Sequence, residues 1–278
     1  MQLFNKVLEI FDTPMTTPDM YGWFHLLFWG LTIVAAVLLC VFHNPEKPER
    51  VRRIVFATAV IVLILEIYKQ INFSFSYGEA IKFDYGWGSF PFQFCSTPMY
   101  VGLLCGIFKK GKIHDALMAY LATYAIFAGL CVMLYPGDVF IDTIGINIQT
   151  MICHGSMISI GVYLLYSGYV KLQHKTIIKA AIVFTCTMLV AAGLNYIEHL
   201  TNFAGDSYFN MFYFSPYHDP HLPLYSMVQA ALRANNMPYI LEFAIYVVGF
   251  SLAAYIMLLI GMLLKTVAKI FKKKPAYK

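Results

Sequence analysis

Charged residues are scarce in this chain, since Asp, Glu, Lys and Arg make up 13% of 278 residues whereas 59% are hydrophobic. So few charges cannot cover the apolar surface of such a chain, which excludes a soluble globular protein. Several enzyme signatures are missing as well: a P-loop, HExxH, GxSxG, CxxC, and a His followed by Asp five residues later. Their absence argues against ATP-driven transport and leaves the chemistry to be inferred from individual residues.

Cysteines are missing from the connections between apolar segments. The six cysteines lie in or at the edge of those segments, at Cys40, Cys95, Cys105, Cys131, Cys153 and Cys186. A disulfide framework is therefore not predicted. Most buried cysteines behave as small hydrophobic residues, and we expect neither a cofactor nor a metal in this chain.

Seven long apolar segments fill the chain, at residues 22–42, 53–73, 94–108, 113–135, 148–170, 176–200 and 238–264. All but the third reach roughly 20 residues, the length that an α-helix needs to cross a bilayer. The start of the chain is acidic rather than basic, so no cleaved signal peptide is expected. The pattern predicts an all-α polytopic membrane protein, with residues 1–278 forming one domain of seven transmembrane helices.

Basic residues occupy alternate connections. Sixteen of the twenty Lys and Arg follow the first, third, fifth and seventh segments, and the last group forms a basic tail at residues 265–278. Because Lys and Arg are retained in cytoplasmic loops, this predicts an N-terminus outside and a C-terminus in the cytoplasm. The net charge of +5 follows from this distribution, so nucleic-acid binding is not expected.

Two of the predicted outer connections are long. Residues 74–90 mix glycine with aromatic residues, which predicts a turn or short hairpin at the level of the lipid headgroups. Residues 201–237 are rich in Phe and Tyr, whose rings prefer the membrane interface. This segment is either an aromatic belt on the outer leaflet or a lid that gates lipid access, since long structureless loops are uncommon.

Polar side chains collect at the outer ends of five predicted helices. They are Glu66, Lys69, Gln70, Gln93, Cys95, His154, Asn195, Glu198, His199 and Glu242. A charge at mid-membrane costs roughly 2.5 to 3.5 kcal/mol, so such residues normally face the protein interior or a wet cavity. The set predicts either a shared polar pocket that works as a site or a network that ties the helices together.

This set contains the residue types of an acyl-transfer site. Cys95 opens a helix, where backbone N–H groups favour a thiolate, and His154 lies at a depth that suits a base. Glu198 or Glu242 would orient the imidazole, completing an arrangement of nucleophile, base and orienting group. Cys153 competes as the nucleophile, although adjacent residues of a helix point about 100° apart.

The remaining polar residues receive supporting roles in this hypothesis. Asn195 and His199 help to orient the base, and substrate binding falls to Glu66, Lys69, Gln70 and Gln93. A further cluster, His218, Asp219 and His221, resembles a set of metal ligands. Three ligands on a loop without a fourth are more typical of a solvated turn, so a metal site remains the alternative there.

Four short stretches resemble one known family: residues 90–95 (FPFQFC), 135–138 (YPGD), 153–155 (CHG) and 237–240 (MPYI). They are similar to the YwaF-like integral membrane proteins of bacteria, whose eukaryotic relatives include an ether-phospholipid acyltransferase of the endoplasmic reticulum. The resemblance implies acyl exchange on membrane lipids with Cys95 and His154 as the reacting pair. Gln93 stands where the bacterial pattern has His.

We therefore expect a membrane lipid acyltransferase or acyl hydrolase with a polar cavity open to the outer leaflet. Its partner would be a membrane phospholipid or lysophospholipid, and its location a bacterial plasma membrane. The alternative is a lipid- or solute-binding carrier or receptor-like protein, in which the same polar groups bind and release without a covalent step.

Overall fold

A computed structural model describes residues 2–76, 80–218, 222 and 225–272. Within these residues the α-helices are α1 (Gln2–Phe11), α2 (Trp23–Val41), α3 (Pro48–Ser74), α4 (Thr97–Ile107), α5 (Lys112–Leu121), α6 (Tyr124–Leu134), α7 (Ile144–Tyr166), α8 (Lys175–Thr201), α9 (Tyr225–Ala234) and α10 (Tyr239–Lys272). Two short strands, β1 (Phe75–Ser76) and β2 (Lys82–Phe83), pair antiparallel within the segment for which a hairpin was predicted.

Six segments of the described chain are long and apolar enough to cross a membrane: Trp23–Val41, Pro48–Ser74, Lys112–Leu134, Ile144–Tyr166, Lys175–Thr201 and Tyr239–Ala268. The third predicted span, 94–108, corresponds to a shorter apolar segment, Phe94–Ile107. The helical membrane character of the chain is thus confirmed. Seven crossings and the outward N-terminus stay predictions.

The centre of the bundle is formed by α7 and by the consecutive helices α5 and α6. In each of these two segments 72% of the most apolar stretch is buried, against 22% or less in the other four candidate spans. Helix α7 packs against α2, α3 and α6, while α5 packs against α8 and α3 against α4. The outer helices are apolar on their exposed faces too, as expected for contact with lipid.

Stacked aromatic rings join four helices in the core. The ring of Tyr124 stacks on Tyr120 with centroids 5.4 Å apart and on Phe184 at 4.6 Å. Tyr246 and Phe250 of α10 continue the stack, and their centroids are 4.4 Å apart. Aromatic pairs of this kind contribute about 0.5–1.5 kcal/mol each beyond the burial of their surface.

The predicted span 113–135 is divided by a break. Thr123 separates α5 from α6 with φ −133° and ψ −70°, and it is fully buried. Its hydroxyl donates to the Ala119 carbonyl over 2.8 Å, and its own carbonyl accepts from the Phe127 amide over 3.1 Å. A broken helix at membrane depth is tolerated where protein surrounds it, which explains why the break falls in a central helix.

Two helices outside the predicted spans rest on the bundle. Helix α1 buries Leu8, and the chain after it pairs with the start of α7, where the Met15 amide donates to the Asp142 carbonyl over 2.7 Å. Helix α9 lies in the connection 201–237. Three aromatic rings of that connection, Phe209, Phe212 and Phe214, are buried in the core rather than spread on the leaflet, because the chain folds back over the helix ends.

We predict that Gly129→Ala lowers the stability of the protein by about 1–3 kcal/mol, the usual range for overpacking. A Cβ at Gly129 would lie 2.6 Å from the backbone carbonyl oxygen of His154, so α6 and α7 would have to separate. Gly193→Ala in α8 is the matched control, because a Cβ there meets nothing within 4 Å. Thermal unfolding in detergent measures both, and equal stability of the two variants would contradict the prediction.

Candidate functional site

Cys95 lies in a short 3-10 turn, Phe94–Ser96, just before α4. Pro98 in the first turn of α4 suits a helix start, because proline has no N–H to leave unpaired there. The ring of Phe94 packs edge-on against Phe184 and Phe250, with centroids 5.4 and 5.2 Å away. The aromatic stack therefore holds the residue next to Cys95, and the thiol itself is half-buried.

The ion pair of Lys69 and Glu66 on α3 acts electrostatically on both Cys95 and Cys153. The two candidate nucleophiles therefore lie at the same end of the bundle, in the field of the same two charges.

His154 is a buried imidazole with one nitrogen unused. Its Nδ1 lies 2.7 Å from the backbone carbonyl oxygen of Thr150, one helical turn earlier. A carbonyl oxygen can only accept, so Nδ1 carries the proton in the neutral ring. Nε2 is buried and has no hydrogen-bond partner among the described residues. In the structure a backbone carbonyl orients this ring, rather than Glu198 or Glu242.

Glu66 is the centre of a polar network on α3. Its carboxylate accepts from Lys69 Nζ over 2.8 Å and from Gln70 Nε2 over 2.8 Å, and Gln149 of α7 approaches it at 3.5 Å. Gln70 also donates to the Ser89 carbonyl and accepts from the Tyr85 hydroxyl, each over 2.7 Å. The predicted residues Glu66, Lys69 and Gln70 are thus brought together, and the network links α3 to the chain after the hairpin.

An open groove of about 340 Å³ begins at this network. Glu66 and Gln70 line it on α3, and Pro91, Met99 and Tyr100 line it across the gap. Most of the remaining lining is apolar or aromatic: Leu63, Ile67, Ile71, Phe75, Phe83 and Tyr85, together with the polar Ser74. The groove therefore offers a polar head and an apolar flank, as an amphipathic ligand requires.

A second, smaller cavity of about 30 Å³ lies between α3, α4, α5, α6 and α7. Cys153 and Ser156 of α7 line it, as do Met99 and Gly102 of α4. Met99 lines the groove as well, so the two spaces share this side chain. Neither space is lined by Cys95 or His154.

Gln93 and Asn195 hold a backbone turn. Gln93 donates to the Asn210 carbonyl over 2.9 Å and accepts from the Phe212 amide over 2.8 Å. Asn195 exchanges two hydrogen bonds with the Met211 backbone, 2.7 and 3.0 Å long. Gln93 was predicted to bind substrate and Asn195 to orient the base. In the structure both side-chain amides instead bind the backbone of residues 210–212 at the end of the bundle.

The other predicted residues lie apart from Glu66. Glu242 of α10 is buried and accepts from the Tyr225 hydroxyl over 3.0 Å and from Gln229, and Arg233 lies 3.9 Å away. These contacts attach α9 to α10. On α8, Glu198 is buried one turn from Asn195, whereas His199 is exposed and stacks on Tyr217 with centroids 3.5 Å apart.

Six of the ten predicted residues thus fall into three hydrogen-bonded groups at one end of the bundle: Glu66, Lys69 and Gln70; Gln93 and Asn195 at residues 210–212; and Glu242 with α9. Cys95, His154, Glu198 and His199 belong to none of the three groups. The sequence analysis missed Gln149 and Thr150, which precede Cys153 and His154 by four residues each. That spacing on one helix was the available signal.

For His218, Asp219 and His221 a solvated turn was favoured over a metal site, and of these three residues Asp219 and His221 lie outside the described residues. The backbone carbonyl of His218 accepts a hydrogen bond of 3.1 Å from Arg233. Among the described residues no three His, Cys, Asp or Glu side chains are grouped to hold a metal ion.

Comparison with known proteins identifies the family. The model of the TMEM164 family, a family of membrane proteins, matches residues 20–262, which is most of the chain. The chain therefore belongs to the TMEM164 family. No curated protein and no solved structure matches it.

We predict that a double-mutant cycle of Glu66→Gln and Lys69→Met gives a coupling free energy of about 2 kcal/mol, since breaking a buried pair leaves a charge without a partner. The Glu66 and Lys69 side chains are 7% and 18% exposed, against 54% and 43% for the surface pair Asp115 and Lys179. That pair is the control, and exposed pairs typically give about 0.2–1 kcal/mol. Unfolding in detergent measures both cycles; equal coupling in the two would contradict the prediction.

Proposed function

We propose that this member of the TMEM164 family transfers or hydrolyses the acyl chains of membrane phospholipids, with Cys95 as the nucleophile and His154 as the base. The observation that supports this most directly is the unused Nε2 of His154, a buried acceptor whose ring tautomer is set by the Thr150 carbonyl. Buried polar atoms normally find partners, and functional sites are where exceptions occur.

The reaction proceeds in two balanced steps. His154 Nε2 takes the thiol proton of Cys95, and the thiolate attacks the carbonyl carbon of a lipid ester. The tetrahedral intermediate collapses as the ester C–O bond breaks, and the leaving alkoxide takes the proton from His154. A lysophospholipid hydroxyl or water then attacks the thioester and regenerates the thiol. Both steps require the Cys95 sulfur to come within hydrogen-bond reach of Nε2.

The groove beside Glu66 is the proposed lipid site. Lys69 has three N–H donors and is paired with a single carboxylate, so it can also contact the phosphate of a headgroup. Gln70 and Tyr85 offer neutral hydrogen-bonding groups next to it. Met99 lines both the groove and the smaller cavity with Cys153, and an acyl chain would pass along this side chain from one space toward the other.

The remaining residues have positioning roles in this proposal. Gln93 and Asn195 hold the turn 210–212 against α8 and the segment that precedes Cys95, and Glu242 fixes α9 against α10. Glu198 and His199 lie on α8 near the same turn, and support the site from there. Neither a metal nor a cofactor takes part.

The site would open to the outer leaflet of a bacterial plasma membrane. The distribution of Lys and Arg supports this orientation, because sixteen of the twenty basic residues follow the odd-numbered predicted spans, at the opposite end of the bundle from Glu66 and His154. The resemblance to YwaF-like proteins supports the bacterial setting.

A lipid- or solute-binding carrier is the second candidate. One observation favours it: the groove is lined by Glu66 and Gln70, whereas Cys95 and His154 line neither space. In a carrier the carboxylate and the amide would bind a headgroup reversibly, and no thioester would form.

We predict that purified protein in liposomes redistributes a labelled acyl chain between phospholipid and lysophospholipid, and that Cys95→Ala and His154→Ala reduce this to the level of protein-free liposomes. Cys186→Ser, which changes an exposed cysteine on the outer helix α8, is the matched control and keeps full activity. Cys153→Ala identifies the competing thiol. Product formation is followed by mass spectrometry of the lipids.

The outcomes separate the candidates. Turnover that persists in Cys95→Ala but is lost in Cys153→Ala moves the nucleophile to Cys153. Turnover independent of His154 removes the proposed base. Lipid binding without any turnover, lost in Glu66→Gln, would establish the carrier instead.

A further inference from the structure

The turn at residues 211–213 has a backbone conformation that non-glycine residues rarely adopt. Phe212 has φ 58° and Tyr213 has φ 51°, so two consecutive residues with side chains lie in the left-handed region. Such a conformation is unfavourable for a residue with a side chain and persists only when the surroundings impose it. Strained backbone of this kind is concentrated at functional sites, so the turn is a candidate for a functional role.

Side chains from three separate parts of the chain impose this conformation. Gln93 binds the amide of Phe212 over 2.8 Å, and Asn195 binds both backbone groups of Met211. The hydroxyl of Tyr246 donates to the Phe212 carbonyl over 2.8 Å. The backbone of the turn is therefore fixed to the segment before Cys95, to α8 and to α10 at once.

The conformation sends adjacent side chains to different surroundings. Phe212 is buried, and its ring lies 5.9 Å from Phe94 and 6.2 Å from Phe92 between centroids. Tyr213 is only partly buried, and its hydroxyl makes no hydrogen bond with any residue of the described chain. It follows Phe212, whose ring packs against Phe94, the residue before Cys95. The turn thus presents an unpaired O–H donor close to the segment that carries the candidate nucleophile.

We propose that Tyr213 donates a hydrogen bond to the carbonyl oxygen of the lipid ester as Cys95 attacks it, and that the strained turn exists to place this hydroxyl. The inference rests on the proposed acyl chemistry. When the S–C bond forms, the carbonyl oxygen acquires negative charge, and a fixed donor at that position stabilises the tetrahedral intermediate. No proton is transferred from Tyr213, and its hydroxyl returns to its free state when the ester C–O bond breaks.

The protonation state of Tyr213 suits a donor. Burial raises the pKa of its phenol, and the neighbouring Cys95, Tyr208 and Asp138 raise this pKa further. A phenol with a pKa above its ordinary value of about 10 keeps its proton at neutral pH. The group therefore remains an O–H donor even when Cys95 is ionised.

Tyr213→Phe tests the assignment, because it removes the hydroxyl and retains the ring. We expect the rate of acyl transfer to fall about 10²- to 10³-fold, the usual loss for one oxyanion donor. Tyr217→Phe is the matched control, since Tyr217 lies in the same connection, is exposed and keeps its stacking on His199 as phenylalanine. That control is expected to retain full activity.

A second readout separates catalysis from a structural effect. Iodoacetamide alkylates a thiolate by displacing iodide and generates no oxyanion, so its rate at Cys95, measured by peptide mass spectrometry, should be equal in Tyr213→Phe and in the unchanged protein. Reduced alkylation together with reduced acyl transfer would show that Tyr213 merely holds the site together and would overturn the proposal.

Full acyl transfer by Tyr213→Phe would also overturn the role proposed for Tyr213, while leaving the role of Cys95 intact. If Cys95→Ala itself retains activity, the proposed function fails instead, and the two results are distinguished in one set of assays.

Discussion

The polar groups of this bundle lie among apolar helices, and the structure depends on how each of them finds a protein partner. In hydrocarbon an unpaired hydrogen-bonding group costs several kcal/mol. Glu66 is therefore paired with Lys69 and Gln70, and Glu242 with Tyr225. His154 Nε2 is an exception, as are Asn5 Oδ1 and Gln229 Oε1, because these buried atoms have no hydrogen-bond partner among the described residues.

The polar end of the bundle is positioned by the apolar core beneath it. Phe94 packs against Phe184 and Phe250 of the aromatic stack. The position of the turn that carries Cys95 is therefore set by its packing against α8 and α10. Close approach of α6 and α7 does the same for His154, whose backbone carbonyl lies against Gly129. In a membrane such close packing replaces the hydrophobic driving force between helices, and it also makes the site rigid.

Much of the architecture could be predicted because a bilayer demands long apolar helices. The six candidate spans begin and end within a few residues of their predicted bounds. The segment 94–108 was predicted to be shorter than the others, and it is. The break at Thr123 and the helix α9 could not be predicted in the same way. Both depend on neighbours from distant parts of the chain, which supply the surroundings that a break or a half-polar helix needs.

At the site, helical spacing and span direction were enough to predict which residues lie at the same end of the bundle, because both set the depth of a side chain. Glu66, Lys69 and Gln70 were grouped correctly, since residues three and four apart share a helix face. The binding of a strained turn by Gln93 and Asn195, and the orientation of His154 by Thr150, became visible only in the folded chain. Depth follows from position along one helix, whereas a hydrogen-bond partner depends on the rotation of each helix and on where a returning loop lies.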